Sequence, residues 1–215
     1  MELVSIKVKS HRENGTAVAE LEDGTSFLFS IEYLNDITDF SLLAKGKELS
    51  QLEEDSLRFA AACYKAEKIA LRLIARAEQS CLALTAKLEK RGIEAAVVRA
   101  VISHLTDREL LNDVRYAELW IRSRLGSYHG KRPGSGRKAL SPLWFLSSLG
   151  KRGIDRASSL SAIGKVLDGE TEYALLSKYL EETDALEGKR GGFLKTRLKR
   201  EGFSTEAIEM FFETI

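Results

Sequence analysis

The sequence lacks any long apolar run, because Arg, Lys or Glu interrupts each apolar stretch well before the roughly 20 residues that span a bilayer. The first ten residues also lack the apolar segment and small-residue cleavage site of a signal peptide. Only two prolines are present, and the apolar and charged contents are near the globular average, so general disorder is not expected. We therefore expect a folded, cytoplasmic protein with no membrane partner.

Cysteine and histidine are equally scarce. Cys63 and Cys81 lie in stretches with helical spacing and are too few to frame a fold, so we expect reduced, structural thiols. His11, His104 and His129 stand far apart in the sequence, with no cysteine or carboxylate at ligand spacing beside them. No metal site is therefore expected.

Catalytic motifs are missing as well. No Gly-x-Ser-x-Gly nucleophile elbow is present. The glycine-rich segment 130–138 lacks the residue order of a phosphate-binding loop, and no strand pattern precedes it. We expect a non-enzymatic protein without a cofactor.

Charge is unevenly distributed along the chain, although the net charge is only +1. Residues 1–60 hold 6 Lys/Arg against 12 Asp/Glu, whereas residues 61–130 hold 12 against 8. Residues 131–165 hold 8 against 1, and residues 166–215 hold 7 against 11. A basic centre between acidic ends suggests contact with a polyanion, although a basic stretch is as often a solvated surface.

Strand-like alternation is confined to the first thirty residues. The turn dipeptides Asn14-Gly15 and Asp23-Gly24 separate three short runs, which predicts an antiparallel β-meander over residues 2–31. After Gly46 apolar residues recur every three or four positions, so the rest of the chain is predicted to be α-helical.

A motif occurs three times in the helical part, which indicates a repeat protein. Gly92, Gly153 and Gly202 each follow basic residues and precede an apolar residue, a pattern typical of a helix C-terminus. Ser80 and Ser141 stand twelve residues before the first two glycines and are predicted N-caps, the second followed by proline. The start of the third copy is not marked in this way.

Amphipathic stretches before and after each capped helix make the predicted unit a triplet of helices. Stacked neighbours would bury the apolar faces that one small triplet leaves exposed. The predicted domains are an N-terminal meander with linker at 1–48 and repeats at 49–106, 107–167 and 168–215.

The densest basic stretch is residues 130–138, a glycine-rich segment predicted to be a flexible cationic loop. Such a loop can follow a phosphate backbone, or it can be a solvated connector between helices. Aromatic residues for stacking flank it, although helical spacing makes Tyr116 and Trp120 more typical of a core. The others are Tyr128 and Trp144.

Two segments together resemble the signature of the RecX family of regulatory proteins. The first is residues 70–76, Ala-Leu-Arg-Leu-Ile-Ala-Arg, followed by Ser80, two leucines and Arg91-Gly92-Ile93. The second is residues 111–118, Leu-Asn-Asp-Val-Arg-Tyr-Ala-Glu, followed by Ile-Arg-Ser-Arg-Leu at 121–125. Weaker similarity covers most of the remaining chain, but the basic link is longer than in the family and residues 142–146 differ from it.

The resemblance implies a mainly α fold in which tandem three-helix repeats form an elongated crescent. It also implies a regulator that lies in the groove of the RecA filament and limits recombinase, ATPase and co-protease activities. We expect a monomer that contacts single-stranded DNA directly or through the filament. The alternatives are a direct DNA-binding protein and a helical adaptor without a RecA partner. The expected RecA- and DNA-binding residues are Arg91, Arg122, Arg124, Lys131, Arg132, Arg137, Lys138, Lys151 and Arg152.

Overall fold

The computed structural model describes residues 3–8, 15–34, 48–129, 139–183 and 191–214 of the chain. The described residues fall into two compact units. The first unit holds those of Met1–Gln79 and Ala83–Leu111, and the second holds Ser80–Leu82 and those of Asn112–Ile215.

The strands form one antiparallel sheet in the order β1-β2-β3, from Leu3–Val8, Thr16–Leu21 and Ser26–Ser30. Gly24 adopts a left-handed φ of 80° in the turn between β2 and β3, and the Asp23 carboxylate accepts a hydrogen bond from the Thr25 amide at 2.8 Å. This is the turn that the Asp-Gly dipeptide predicts. The other predicted turn includes Asn14, which lies outside the described residues.

All other regular structure in the described residues is helical, which confirms the predicted fold class of a mainly α protein with a small N-terminal meander. A short 3-10 helix, Ile31–Tyr33, follows the sheet. The α-helices are α1 Gln51–Ile74, α2 Cys81–Glu89, α3 Ala95–Asp107, α4 Asp113–His129, α5 Pro142–Gly150, α6 Arg156–Val166, α7 Gly169–Glu182, α8 Gly191–Arg200 and α9 Thr205–Thr214. The predicted repeat boundaries stay a prediction.

Helix α1 connects the sheet to the helices of the first unit. It begins at a capping box, in which the Ser50 hydroxyl accepts from the Glu53 amide and the Glu53 carboxylate accepts from the Ser50 amide. Its buried face packs against β3 and α3 and contains four alanines, Leu57 and Cys63, together with the polar residues Glu54, Ser56 and Glu67. Cys63 and Cys81 form no disulfide, and burial raises the pKa of Cys63 to about 12.

A polar cluster lies within this first unit. His104 Nε2 on α3 is 3.2 Å from a Glu32 carboxylate oxygen and 3.7 Å from one of Glu67 on α1. Arg108 Nη1 approaches the same Glu32 oxygen at 3.5 Å. The Tyr33 ring packs against the His104 imidazole, and burial raises the pKa of the Tyr33 hydroxyl. These contacts connect the 3-10 helix after the sheet to α1 and α3.

The three predicted helix ends share one geometry. At the end of α2, Gly92 has a φ of 77° and donates to the Glu89 carbonyl, while Ile93 donates to the Leu88 carbonyl. This pair of bonds is a Schellman motif, in which an apolar residue after the glycine folds back over the helix. Residues 149–154 and 198–203 repeat both bonds, with φ values of 78° at Gly153 and 87° at Gly202.

Each of the corresponding helix starts in the second unit contacts a carboxylate from a distant part of the sequence. The Ser141 hydroxyl accepts from the Trp144 amide, as predicted, and donates to Glu201 at 2.7 Å. The Cys81 amide at the start of α2 donates to Asp113 at 2.8 Å. Asp113 and the Ser141 hydroxyl thus each satisfy an amide that a helix start leaves without an intrahelical partner.

Both of these helix starts pack against the helix-ending glycine of the following copy of the motif. A Cβ built on Gly153 would stand 2.6 Å from Leu82 Cβ, and the Ser80 hydroxyl donates to the Arg152 carbonyl at 3.3 Å. A Cβ on Gly202 would stand 3.3 Å from the Leu143 amide nitrogen. The start of one helix therefore packs on the end of another twice within the second unit.

Candidate nucleic-acid interface

Helices α4 and α5 bring two tryptophans together in the second unit. The rings of Trp120 and Trp144 stack with centroids 5.7 Å apart and an interplanar angle of 16°. Phe145, which is fully buried, meets both indoles edge-on. Both indoles are only half-buried, so this aromatic pair lies at the surface on a core support.

Two arginines lie over the ring of Trp120. The Arg152 guanidinium carbon is 4.2 Å from the ring centroid and that of Arg124 is 5.2 Å from it. Arg152 also donates to the Ser148 carbonyl at 2.7 Å, which fixes the side chain beside α5. Both distances are within the range of cation–π attraction.

Local sequence accounts for much of this geometry. Trp120 and Arg124 stand four residues apart on α4 and therefore share one face of the helix. The position of Trp144 is fixed by the hydrogen bond that its amide donates to the N-cap residue Ser141. The position of Arg152 is fixed by the Schellman motif that ends α5. The juxtaposition of the two tryptophans is a tertiary contact, which spacing does not reveal.

The sequence segment that contains Trp120, Arg124, Trp144 and Arg152 has no acidic residue. Residues 119–152 hold eight Lys/Arg and no Asp/Glu. Before this segment, Glu118 pairs with Lys165 at 3.0 Å. After it, Asp155 caps α6, where bonds from Ser158 hold the pKa of its carboxyl below the usual range. The local charge therefore favours an anion.

A cavity of about 400 Å³ adjoins the aromatic pair. Trp144 and Tyr179 contribute aromatic lining, and Glu201 contributes a carboxylate that already accepts the Ser141 hydroxyl. The remaining lining residues are Ala139, Leu143, Ser147 and Thr183. The volume lies in the range of small-molecule sites in proteins.

The expected binding residues are distributed over both units. Arg91 is exposed in the first unit and donates to the Lys87 carbonyl. Arg122, Arg124 and Lys151 are exposed and Arg152 is half-buried, all in the second unit. The structure brings Arg124 and Arg152 together over one ring. Lys131, Arg132, Arg137 and Lys138 lie outside the described residues, and the assignment of all nine to binding stays a prediction.

Sequence reasoning named Trp144 only as a flanking aromatic residue and did not pair it with Trp120. It also favoured a core position for Trp120; the ring is partly buried and packs against the hydrophobic core, with two arginines over it. The four-residue spacing of Trp120 and Arg124 was a usable local signal. No comparable signal links Trp120 to Arg152.

Neither a metal-binding group nor a membrane-spanning helix is found among the described residues. There, no three His, Cys, Asp or Glu residues form a group able to hold a metal ion. None of the helices described is both long and apolar enough to cross a membrane.

The fold and this cluster define a helical repeat protein with a cationic, aromatic surface. The chain is 34% identical to the regulatory protein RecX of Treponema pallidum (strain Nichols) over 154 residues, which cover 70% of this chain and 85% of that protein. It is 32% identical to the RecX of Xanthomonas axonopodis pv. citri (strain 306) over 148 residues, covering 66% and 84%. The chain belongs to the RecX family of regulatory proteins.

Solved structures agree in fold. A crystal structure of a regulatory protein RecX superposes with a TM-score of 0.62 at 18% identity, covering 99% of this chain and 98% of that one. The RecX of Lactobacillus salivarius superposes with a TM-score of 0.50 at 21% identity, covering 72% and 97%. No protein-family model matches the chain.

Proposed function

We propose that the chain regulates RecA by binding the RecA–DNA filament, and that it inhibits or modulates the recombinase, ATPase and co-protease activities in DNA repair and the SOS response. The observation that carries this proposal is the 34% identity to a regulatory protein RecX across 85% of that protein. Regulation here is non-enzymatic and acts by occupancy, with the protein working as a monomer in the cytoplasm.

The cationic surface of the second unit supports contact with the DNA of the filament. Arg124 and Arg152 lie over Trp120 in a segment without acidic residues, so their charges are not cancelled by a neighbour in sequence. Cations placed along a phosphate backbone gain affinity by releasing counterions. The nine expected binding residues are proposed to meet the filament and its DNA, and the acidic ends of the chain to meet protein.

The test of the RecA proposal is ATP hydrolysis by RecA from the same organism on single-stranded DNA, with this protein titrated in. Inhibition below one copy per RecA protomer is expected, because one bound copy that bridges protomers affects several of them. Arg152→Gln should weaken the inhibition, whereas Lys199→Gln, which removes an exposed charge from α8, should not. No effect at excess, with binding to bare DNA retained, would favour a direct DNA-binding protein instead.

The DNA part of the proposal has its own test in salt dependence. If about five phosphates are neutralised, affinity for single-stranded DNA should fall on the order of 10² between about 50 and 200 mM salt, from a slope near 0.7 per phosphate. Fluorescence anisotropy of a labelled oligonucleotide measures this. An affinity that does not change across this range would contradict the DNA contact and favour a helical adaptor that binds only protein.

A further inference from the structure

We propose that Trp144, stacked on Trp120 beside the cavity, is a base-stacking site for single-stranded nucleic acid. The inference rests on the proposed DNA contact and makes it specific: the protein would bind unpaired bases as well as phosphates.

The geometry of the aromatic pair supports a binding surface more than a core contact. Trp120 is covered by Trp144 and by two guanidinium groups, while Trp144 lines the adjoining cavity. Phe145 packs edge-on against both indoles from the core and is itself fully buried. The Trp144 ring is therefore held in place before any ligand arrives, which lowers the entropy cost of binding.

Charge divides the site into a place for phosphates and a place for a base. Arg124 and Arg152 supply positive charge at Trp120, and the surrounding segment contains no acid. The cavity beside Trp144 instead contains the Glu201 carboxylate, which repels a phosphate but can accept a hydrogen bond from an N–H on a base edge. The arginines do not line the cavity, so we expect the base of one nucleotide in the cavity and phosphates elsewhere along the strand at the arginines.

The same features favour single strands over other anions. Bases in a duplex are stacked on one another and paired, whereas unpaired bases offer a π-face that stacks on aromatic side chains. An acidic peptide would satisfy the arginines but has no base to place against Trp144. Base stacking does not depend on sequence, so broad recognition of single strands is expected.

Intrinsic fluorescence can test the inference directly, because Trp120 and Trp144 are the two tryptophans of the chain. The full-length protein, without RecA, is titrated with an oligothymidylate of about 15 nucleotides, a length near the site sizes of single-strand binders. A parallel titration uses an abasic strand with the same number of phosphates. We expect quenching by the oligothymidylate, and an abasic strand that binds about 5- to 150-fold more weakly, from about 1–3 kcal/mol per stacked base.

Variants locate the effect at Trp144. Anisotropy of a labelled oligothymidylate should show a loss of affinity of about 5-fold or more for Trp144→Ala, and largely restored affinity for Trp144→Phe, which keeps an aromatic ring. Phe193→Ala is the matched control, because Phe193 occupies the corresponding position of α8 and is 62% exposed. Circular dichroism melting establishes that each variant is folded, and the comparison of the abasic strand with the oligothymidylate remains decisive if Trp144→Ala is not.

Equal binding of the abasic strand, or unchanged affinity in folded Trp144→Ala, would overturn the base-stacking site. If that happens while RecA hydrolysis is still inhibited, the proposed function stands and only phosphates are contacted. If oligothymidylate binding behaves as expected while RecA is unaffected, the base-stacking site stands and the RecA proposal is wrong.

Discussion

The two units contain the same helix-ending sequence, Arg-Gly-Ile, in different surroundings. Gly92 in the first unit and Gly153 in the second have φ values of 77° and 78°. A Cβ on Gly92 would meet no atom within 4 Å, whereas one on Gly153 would overlap Leu82. Glycine is therefore needed at Gly92 for backbone conformation alone, and at Gly153 for conformation and for packing.

The residue two positions after each glycine differs as well. Asp155 accepts a hydrogen bond from the Ser158 amide at 2.9 Å and caps α6. Glu94, at the same position before α3, makes no side-chain cap bond. In both respects the second unit has the more restrictive helix junction, and the comparison can be tested by substitution.

The largest expected effect is that of Gly153→Ala. A left-handed alanine costs about 1 kcal/mol, and overpacking a well-packed site costs about 1–3 kcal/mol more, so the free energy of unfolding should fall by about 2–4 kcal/mol. Gly92→Ala, which adds no clash, should cost only about 1 kcal/mol. Urea unfolding of the two variants measures the difference, and equal losses would contradict the packing role of Gly153.

A combined variant sharpens this result. Leu82→Ala removes the Cδ2 and Cγ atoms, which would lie 2.8 and 3.1 Å from the new Cβ, but leaves the Leu82 Cβ at 2.6 Å. The double variant Gly153→Ala, Leu82→Ala should therefore recover only part of the loss. Purely additive losses would indicate that the two positions do not interact.

Gly202→Ala should have an intermediate effect, because its Cβ would stand 3.3 Å from both the Leu143 nitrogen and Pro142 Cβ. The neighbours must move by a few tenths of an ångström, so a loss of about 1–2 kcal/mol is expected. Thermal melting beside the other two glycine variants measures this order. A loss no greater than that of Gly92→Ala would show that close packing does not restrict position 202 to glycine.

A smaller effect, this time a gain in stability, is expected from giving α3 the N-cap that α6 already has. Glu94→Asp shortens the side chain to that of a preferred N-cap residue and should stabilise the protein by about 0.5–1 kcal/mol. Asp155→Glu, the reverse exchange, should destabilise it by a similar amount. Urea midpoints of both variants measure the effect, and a destabilised Glu94→Asp would show that the backbone before α3 does not accept this cap.

The smallest expected effect is a dependence on acid at two helix caps of the second unit. Bonds from Ser158 and Thr171 hold the pKa values of Asp155 and Asp168 below the usual range in the folded protein. Their stabilisation is therefore present above the unfolded-state pKa, near 4, and is lost as pH falls through the lower folded-state pKa. Asp155→Asn keeps a cap that does not titrate, so melting temperatures should fall less steeply in acid.

The sequence predicted the features that depend on neighbours along the chain. The left-handed glycines, the Ser141 cap and the Asp23-Gly24 turn follow from hydrogen bonds that span a few residues, and the structure contains all of them. Contacts such as Leu82 with Gly153, or Trp120 with Trp144, join residues far apart in the sequence. No periodicity encodes them, because they depend on how whole helices pack.

The first turn of α2 has a consequence for dividing the chain into fragments. Residues 80–82 belong to the second unit, although the rest of the same helix belongs to the first. A truncation that starts at Asn112 would leave Asp113 without the Cys81 amide and Gly153 without Leu82. Such a fragment would lose both contacts, so the second unit is not separable at the loop before α4.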